Sequence, residues 1–516
     1  MFLFKRKRPV FQGGVHPDDR KQATSGLPIE CLPMPARLYL PVQQHIGAAA
    51  RPVVKAGDTV LKGQMIARGD GAVSAAVHAP TSGRILGVEP HPAPHPSGLP
   101  VETIVIEPDG EDRWLEDPDP EHALNLEPEA IARRVAEAGV VGMGGATFPA
   151  AIKLNLGSRH HIDTLIINGS ECEPYLTCDD RLMRERTDEV VDGIRIMRHA
   201  LGARRALVVV EDNKPEALAA LQARLYEMDT IEAMAVPTRY PMGSEKHMIK
   251  AVTGREIPAG KLGADIGVIV HNVGTAYAVH RAVRMQRPLI SRIVTVGGGA
   301  VQRPANLEVL LGTRVEDLLA HCGGTRQPPA RLLMGGPMMG QVMPHAQVPV
   351  IKGSNGIIAL TEEEINIGET MPCIRCGRCV AACPCGLMPL EMAARIRKED
   401  MDGAVDYGLM DCVACGSCSY VCPSHIPLVQ FFHHAKGVLG ARREQQRRQE
   451  EIKRLAQQRR ERQEAEARAK AEAAERRKAE REAAKRKAEE AKAARAAKAA
   501  TAKETPKTPA ADQAEA

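Results

Sequence analysis

Nine of the 13 cysteines fall between Cys373 and Cys422, and eight of them write one pattern twice. Cys373, Cys376, Cys379 and Cys383 are followed by Pro384; Cys412, Cys415, Cys418 and Cys422 are followed by Pro423. Each copy reads C-x2-C-x2-C-x3-C-P, so three thiols leave one tight loop and a fourth follows shortly after. Gly377 and Gly416 suit the turns, where a side chain would crowd whatever the thiols hold. Zinc uses paired C-x2-C ligands and needs no third cysteine three residues on. Disulfide frameworks belong to small secreted chains, whereas this chain has 516 residues. The repeated run with its trailing proline is instead a spacing used by thiolate ligands of iron–sulfur clusters. Cys385, the ninth thiol of the region, reads as a spare.

The spacing is similar to that of two-cluster bacterial ferredoxins. That resemblance implies two [4Fe-4S] centres with crossed ligand sets, because the fourth cysteine of each copy serves the other cluster. Cys373, Cys376, Cys379 and Cys422 would hold one centre, and Cys412, Cys415, Cys418 and Cys383 the other. A chain built this way moves electrons.

The length allows several domains with ample core. No run of 18 or more apolar residues is present, so no transmembrane helix is expected. Met1-Phe2-Leu3-Phe4 followed by Lys5, Arg6, Lys7 and Arg8 has the wrong order for a secretory signal. Reduced thiolates favour the cytoplasm. From Ala441 onward, 23 Lys plus Arg against 15 Asp plus Glu give +8, which leaves the rest at −3 within a total of +5. This segment, 441–516, is rich in Ala and long charged residues, so a solvated helix is expected, with disorder from Thr505, Pro506, Thr508 and Pro509. A spacer is the plain reading; contact with anionic lipid or an acidic partner is the functional one.

Ahead of the cysteines, residues 1–35 form an amino-terminal segment. Residues 36–115 carry short β-like runs with turns at Gly57-Asp58 and Ser82-Gly83, and resemble a biotinyl/lipoyl barrel-sandwich module. Asp70-Gly71 offers no lysine for modification. Residues 291–355, with Ile293-Val294-Thr295-Val296-Gly297 and Met334-Gly335-Gly336-Pro337, look like a β-grasp insert. Residues 360–440 form the helical ferredoxin-type region. Cys31, Cys172, Cys178 and Cys322 read as buried thiols, with Cys172 singled out because it lies in a glycine- and acid-rich loop.

Residues 120–290 read as an α/β domain. Gly139-Val140-Val141-Gly142-Met143-Gly144-Gly145-Ala146-Thr147-Phe148-Pro149 precedes a helical stretch with Lys153 on its first turn. Glycines there let backbone N–H groups close on a phosphate, and the lysine adds charge. A β-run, Leu165-Ile166-Ile167, empties into Asn168-Gly169-Ser170-Glu171-Cys172-Glu173-Pro174, the usual place for cofactor contacts in an α/β sheet. Gly243-Ser244-Glu245-Lys246 and His271-Asn272-Val273-Gly274-Thr275 follow.

Together these segments resemble the flavin- and NADH-binding subunit of respiratory complex I. The resemblance implies that Gly142, Gly144, Gly145 and Lys153 cradle the FMN phosphate. It implies that Asn168, Glu171, Asn272 and Thr275 contact the flavin, and that Glu173 and Glu245 lie on the NADH side, Glu245 nearest the hydride exchange. Val141, Thr147 and Ser170 depart from that family's arginine, glycine and acidic residue.

The order of modules, with Gly13-Gly14-Val15-His16-Pro17 and Tyr240-Pro241-Met242-Gly243-Ser244-Glu245-Lys246, is similar to the RnfC (RsxC) family of the Rnf electron-transport complex. That implies a peripheral subunit on the cytoplasmic side of the cell inner membrane, in a six-subunit complex coupling NADH–ferredoxin electron transfer to ion transport. NADH, ferredoxin or a redox regulator, and the other subunits are the implied partners; nucleic acid is not. Two other functions fit the motifs: a stand-alone soluble NADH dehydrogenase, and a scaffold whose flavin site is vestigial.

Overall fold

Short strands whose apolar residues point one way build the amino-terminal module. After β1 (Ile29–Cys31), which pairs elsewhere, these are β2 (Leu38–Pro41), β3 (Arg51–Pro52), β4 (Thr59–Val60), β5 (Met65–Arg68), β6 (Val77–His78), β7 (Gly83–Pro92) and β8 (Pro100–Pro108). Two antiparallel sheets, β2-β8-β7-β4 and β3-β5-β6, share a core of Leu38, Leu40, Ile66, Ile85, Ile104 and Ile106. Gly83 is required where the sheet closes: a Cβ there would sit 2.2 Å from the Glu107 carbonyl oxygen. This is the barrel-sandwich expected. The computed structural model describes residues 11–116, 122–365 and 368–501. The basic run Lys5–Arg8 and the Thr/Pro end of the tail lie outside them.

The second layer is α/β. In chain order it contains α1 (Pro128–Glu137), α2 (Ala150–Leu154), β9 (Thr164–Gly169), α3 (Cys178–Glu185), α4 (Thr187–Leu201), β10 (Arg205–Glu211), α5 (Pro215–Leu225), β11 (Ile231–Val236), α6 (Glu245–Thr253), β12 (Val268–Asn272) and α7 (Val273–Arg284). All four strands are parallel in the order β11-β10-β9-β12. The near-continuous apolar runs of β9, β10 and β12 follow, since helices cover both faces of such a sheet. Met248 and Ile249 of α6 pack on one face with Ile166, Val209 and Val268. Helices α1, α4 and α7 pack on the other, where Gly193 lets α4 approach α7 so closely that a Cβ would meet the Ala276 carbonyl. Strand order reverses between β9 and β12, and the crevice at such a switch point is where α/β sheets bind ligands.

The insert is a six-stranded sheet, β1-β14-β13-β17-β15-β16, formed by β13 (Ser291–Gly297), β14 (Ala305–Leu310), β15 (Arg331–Met334), β16 (Gln341–Val342) and β17 (Gly356–Leu360) with helix α8 (Val315–His321). Two of its strands come from outside 291–355: β17, and β1, whose Ile29 pairs with Asn306. Cys31 is therefore exposed at an edge strand rather than buried, while Cys178 and Cys322 are buried.

The cysteine region holds α9 (Arg378–Ala382), α10 (Pro389–Ile396), α11 (Met401–Asp406), α12 (Ser417–Tyr420) and the start of α13 (Leu428–Thr501), around Met392, Ala393, Leu409 and Phe432. The sequence repeat is a backbone repeat: Arg375 and Ala414 have φ of 56° and 54°, Gly377 and Gly416 φ of 74° and 80°. Residues 437–516 form a separate unit. Helix α13 runs through it to Thr501, with every side chain from 440 to 500 exposed. Pairs such as Arg448–Glu444 and Arg476–Glu480 lie four apart. A helix polar all round is held by such pairs rather than by packing.

Candidate functional site

Two cavities collect the cysteines. Cys373, Cys376 and Cys379 line one together with Cys422; Cys412, Cys415 and Cys418 line the other together with Cys383. Cysteines distant in sequence thus face one another because α9 and α12 pack side by side. Backbone N–H groups already point at sulfur: Arg375 donates to Cys373 at 3.4 Å, Ala414 to Cys412 at 3.3 Å and Leu387 to Cys383 at 3.4 Å. Such N–H donors stabilise thiolate charge. Each cavity thus offers at least the four converging thiols that a 4Fe–4S cubane takes, the second also holding Cys385.

The two cavities differ in setting. Cys415 and Cys418 are buried, whereas Cys373 and Cys376 are exposed beside Ile374, itself 68% exposed. The buried set packs on the α/β domain. Tyr240 donates its hydroxyl to the Cys415 carbonyl at 2.6 Å, and His247 of α6 lies 3.7 Å from Cys385. The amino-terminal glycines pass between these parts: Gly14 donates to the Ala382 carbonyl at 2.9 Å, and a Cβ on Gly13 would sit 2.5 Å from the Cys383 carbonyl oxygen.

The glycine loop lies over the switch point. Gly142 N–H donates to the Phe148 carbonyl at 2.7 Å, and Met143 N–H to Thr275 Oγ1 at 3.0 Å. Gly145 has φ of 105° and open space where a Cβ would be; a Cβ on Gly144 would lie 3.4 Å from Asn272. Lys153 Nζ pairs with Glu245 at 2.9 Å and donates to the Val270 carbonyl at 3.2 Å. Asn168, one residue before the end of β9, and Asn272, the last residue of β12, stand in register on adjacent strands. Asn168 donates to the Gly243 carbonyl at 2.9 Å; Asn272 caps α7 by accepting from Gly274 at 2.8 Å and donates to Asp179 at 2.6 Å.

The acidic residues after β9 face inward. Glu171 accepts from the N–H groups of Asp179 and Asp180 at the start of α3, at 2.6 and 3.3 Å. Glu173 accepts from Met338 and Met339 of the insert, both at 2.9 Å, and burial pushes its carboxyl up to about 7. Burial, then Glu171, pushes Asp179 up to about 7. Lys21 Nζ threads the same turn, donating to the carbonyls of Glu171, Glu173 and Leu176. Cys172 sits inside the loop, its thiol accepting from Gly243 N–H at 3.4 Å, with burial pushing its pKa up. The structure therefore brings Gly142, Gly144, Gly145, Lys153, Asn168, Glu245, Asn272 and Thr275 together, and sets Glu171 and Glu173 on backbone amides beneath and beside them.

Two buried polar atoms at the strand ends have no protein partner, Ser170 Oγ and His271 Nε2. Unsatisfied groups of this kind are costly unless a ligand or water completes them. With the open glycine loop and the lysine, they fit a phosphate-bearing, hydrogen-bonding flavin. Sequence reasoning missed Tyr240, His247 and Lys21, whose partners are far away in the chain; Tyr240 was visible only within its Pro-Met-Gly segment.

Residues 9–111 match the family described as RnfC barrel sandwich hybrid domain, 135–281 the Nuo51 FMN-binding domain, 293–342 the SLBB domain and 372–426 the 4Fe-4S dicluster domain. A relative from Rhodobacter capsulatus, the C subunit of an ion-translocating oxidoreductase complex, is 58% identical over 432 residues, 84% of this chain and 83% of its own length. The C subunit of the proton-translocating ferredoxin:NAD(+) oxidoreductase complex of Clostridium ljungdahlii is 45% identical over 83% of this chain and 93% of its own. The C subunit of the Pseudomonas aeruginosa ion-translocating oxidoreductase complex is 47% identical over 87% of this chain and 58% of its own.

Proposed function

The chain belongs to the RnfC family, the C subunits of ion-translocating oxidoreductase complexes, and from that premise we propose that it exchanges electrons between NADH and a six-subunit membrane complex, with ferredoxin or a redox regulator as the far partner. It is an oxidoreductase subunit with FMN and 4Fe–4S clusters. When bound, FMN exchanges hydride with a nicotinamide and single electrons with iron–sulfur centres. The readings as a stand-alone dehydrogenase or a vestigial scaffold are not favoured by these relatives.

The residues supply position and charge. Gly144, Gly145 and Lys153 would receive the FMN phosphate, because the loop backbone and an ammonium face the same crevice, and Gly142, its N–H held by the Phe148 carbonyl, would shape the loop around it. Asn168 and Asn272 would meet the flavin at the strand ends, and Thr275 would act by fixing Met143 N–H and hence the loop. Glu245, ion-paired to Lys153, would lie on the nicotinamide side. Glu171 and Glu173 would contribute by bracing the turn. Cys383, Cys412, Cys415 and Cys418 would hold the centre on the flavin side; Cys373, Cys376, Cys379 and Cys422 would hold the centre at the surface, where a partner can approach.

The observation that carries the reading is helix α6. Its first residue, Glu245, belongs to the glycine-loop site, and its third, His247, touches the buried thiol cavity. One rigid element thus joins the two chemistries. The chain docks peripherally on the cytoplasmic face of the inner membrane; no helix among the described residues is long and apolar enough to cross a membrane. The test is anaerobic purification and reconstitution. About eight iron and eight sulfide atoms are expected, as two cubanes require, with FMN, and NADH should bleach both flavin and clusters. Tight zinc with no EPR signal on reduction would overturn the reading.

A further inference from the structure

Five thiols line the buried cavity, Cys383, Cys385, Cys412, Cys415 and Cys418, although a cubane takes four ligands. Cys385 follows Cys383 by two residues, on a turn closed by Gly386 N–H donating to the Cys383 carbonyl at 3.2 Å. Its thiol lines the same cavity as that of Cys383 on one side. On the other side lies His247 Nε2 at 3.7 Å, with His247 Nδ1 held 2.9 Å from Ser244 Oγ. His247 is 5% exposed, so its ring is fixed by packing. The surface cavity differs at the matching position: Ser424 follows Cys422 by two, and its hydroxyl donates away to the Pro372 carbonyl at 3.1 Å.

We propose that Cys385 is not a ligand but a positioning residue, seated by His247, whose S–H donates to the Cys383 thiolate and raises the reduction potential of the buried centre relative to the surface one. This inference rests on the functional reading above. Reduction adds negative charge that spreads onto the cluster sulfurs, and a donor aimed at one of them stabilises the reduced form more than the oxidised. The asymmetry between Cys385 and Ser424 confines the effect to one of two otherwise repeated sites.

The test uses full-length holoprotein carrying Cys385→Ala, Cys385→Ser and His247→Gln, with iron content and EPR-monitored redox titration as readouts. Both clusters should remain in all variants. In Cys385→Ala one midpoint potential should fall while the other stays put, Cys385→Ser should recover much of the fall, and His247→Gln should move the same midpoint by less. Loss of half the iron in Cys385→Ala would make Cys385 a ligand and overturn the proposal. Two unchanged midpoints would make it a bystander and overturn it equally. A wild type lacking cluster signals altogether would instead sink the functional reading.

Discussion

The Tyr240 hydroxyl donates to the carbonyl oxygen of Cys415 at 2.6 Å, with Tyr240 only 2% exposed. A buried hydrogen bond thus ties the α/β domain to the loop of the inner thiol cavity. Tyr240→Phe leaves that carbonyl unsatisfied, at a cost of about 1–3 kcal/mol. We expect a lower apparent melting temperature and slower cluster reduction by NADH, with flavin reduction unchanged. Stopped-flow absorbance at separate flavin and cluster wavelengths checks both.

Gly144 and Gly145 should fail for different reasons. A valine at 144 pushes its Cβ toward Asn272, 3.4 Å away, whereas one at 145 must adopt a φ of 105°, a strain of about 1–3 kcal/mol. Either variant should weaken FMN binding by about tenfold or more, since about 1.4 kcal/mol is tenfold, while iron content holds. Equilibrium dialysis against FMN and an iron assay measure the two.

The cysteine chemistry was legible because its ligand spacing is local: three thiols on one loop say nearly everything about what they hold. The glycine loop before α2 was legible as a loop for the same reason, while the pairing of Lys153 with Glu245 was not. What could not be read were pairings set by the fold. Ile29 joins a sheet whose other strands lie past residue 290, Lys21 binds carbonyls of the 171–176 turn, and Cys385 meets a helix far upstream. Glu171 and Glu173 sit in a motif that suggests ligand contacts, yet their oxygens are taken by backbone amides that only the tertiary structure supplies.

Lys352 gives a pH signature. It is fully buried, donating to the Ala76 and Gly139 carbonyls at 2.5 and 2.6 Å, and burial pushes its pKa down to about 7. His45 and His78 face it, burial holding His78 down to about 3. Between pH 7 and the ordinary lysine value the unfolded chain carries a proton at this site that the folded chain does not. Stability from this group therefore rises with pH across that window, by up to about 1.4 kcal/mol per unit. Lys352→Met should be less stable by about 1–3 kcal/mol from its stranded carbonyls, and its deficit relative to wild type should widen from pH 7 to pH 9. Denaturant titrations at several pH values test this.

Truncation after Gly440 should leave NADH-to-dye electron transfer intact, because every side chain from 440 to 500 is exposed and the segment contains no cysteine. Any part the tail plays in membrane association must be salt-dependent, since its +8 charge is screened beyond about 8 Å at physiological ionic strength. Cosedimentation of full-length and truncated protein with membranes at low and high salt decides between spacer and anchor; a truncation that abolished activity would refute the boundary.

The proposed arrangement of a buried thiol set on the flavin side and an exposed one at the surface is tested most directly by Cys383→Ala, followed by EPR after anaerobic addition of NADH. We predict that the signal of the centre sharing Cys412, Cys415 and Cys418 is lost or altered, that flavin is still reduced, and that the centre of Cys373, Cys376, Cys379 and Cys422 reduces far more slowly. Damage confined to the Cys373 set, or reduction of that centre at the wild-type rate, would contradict the account.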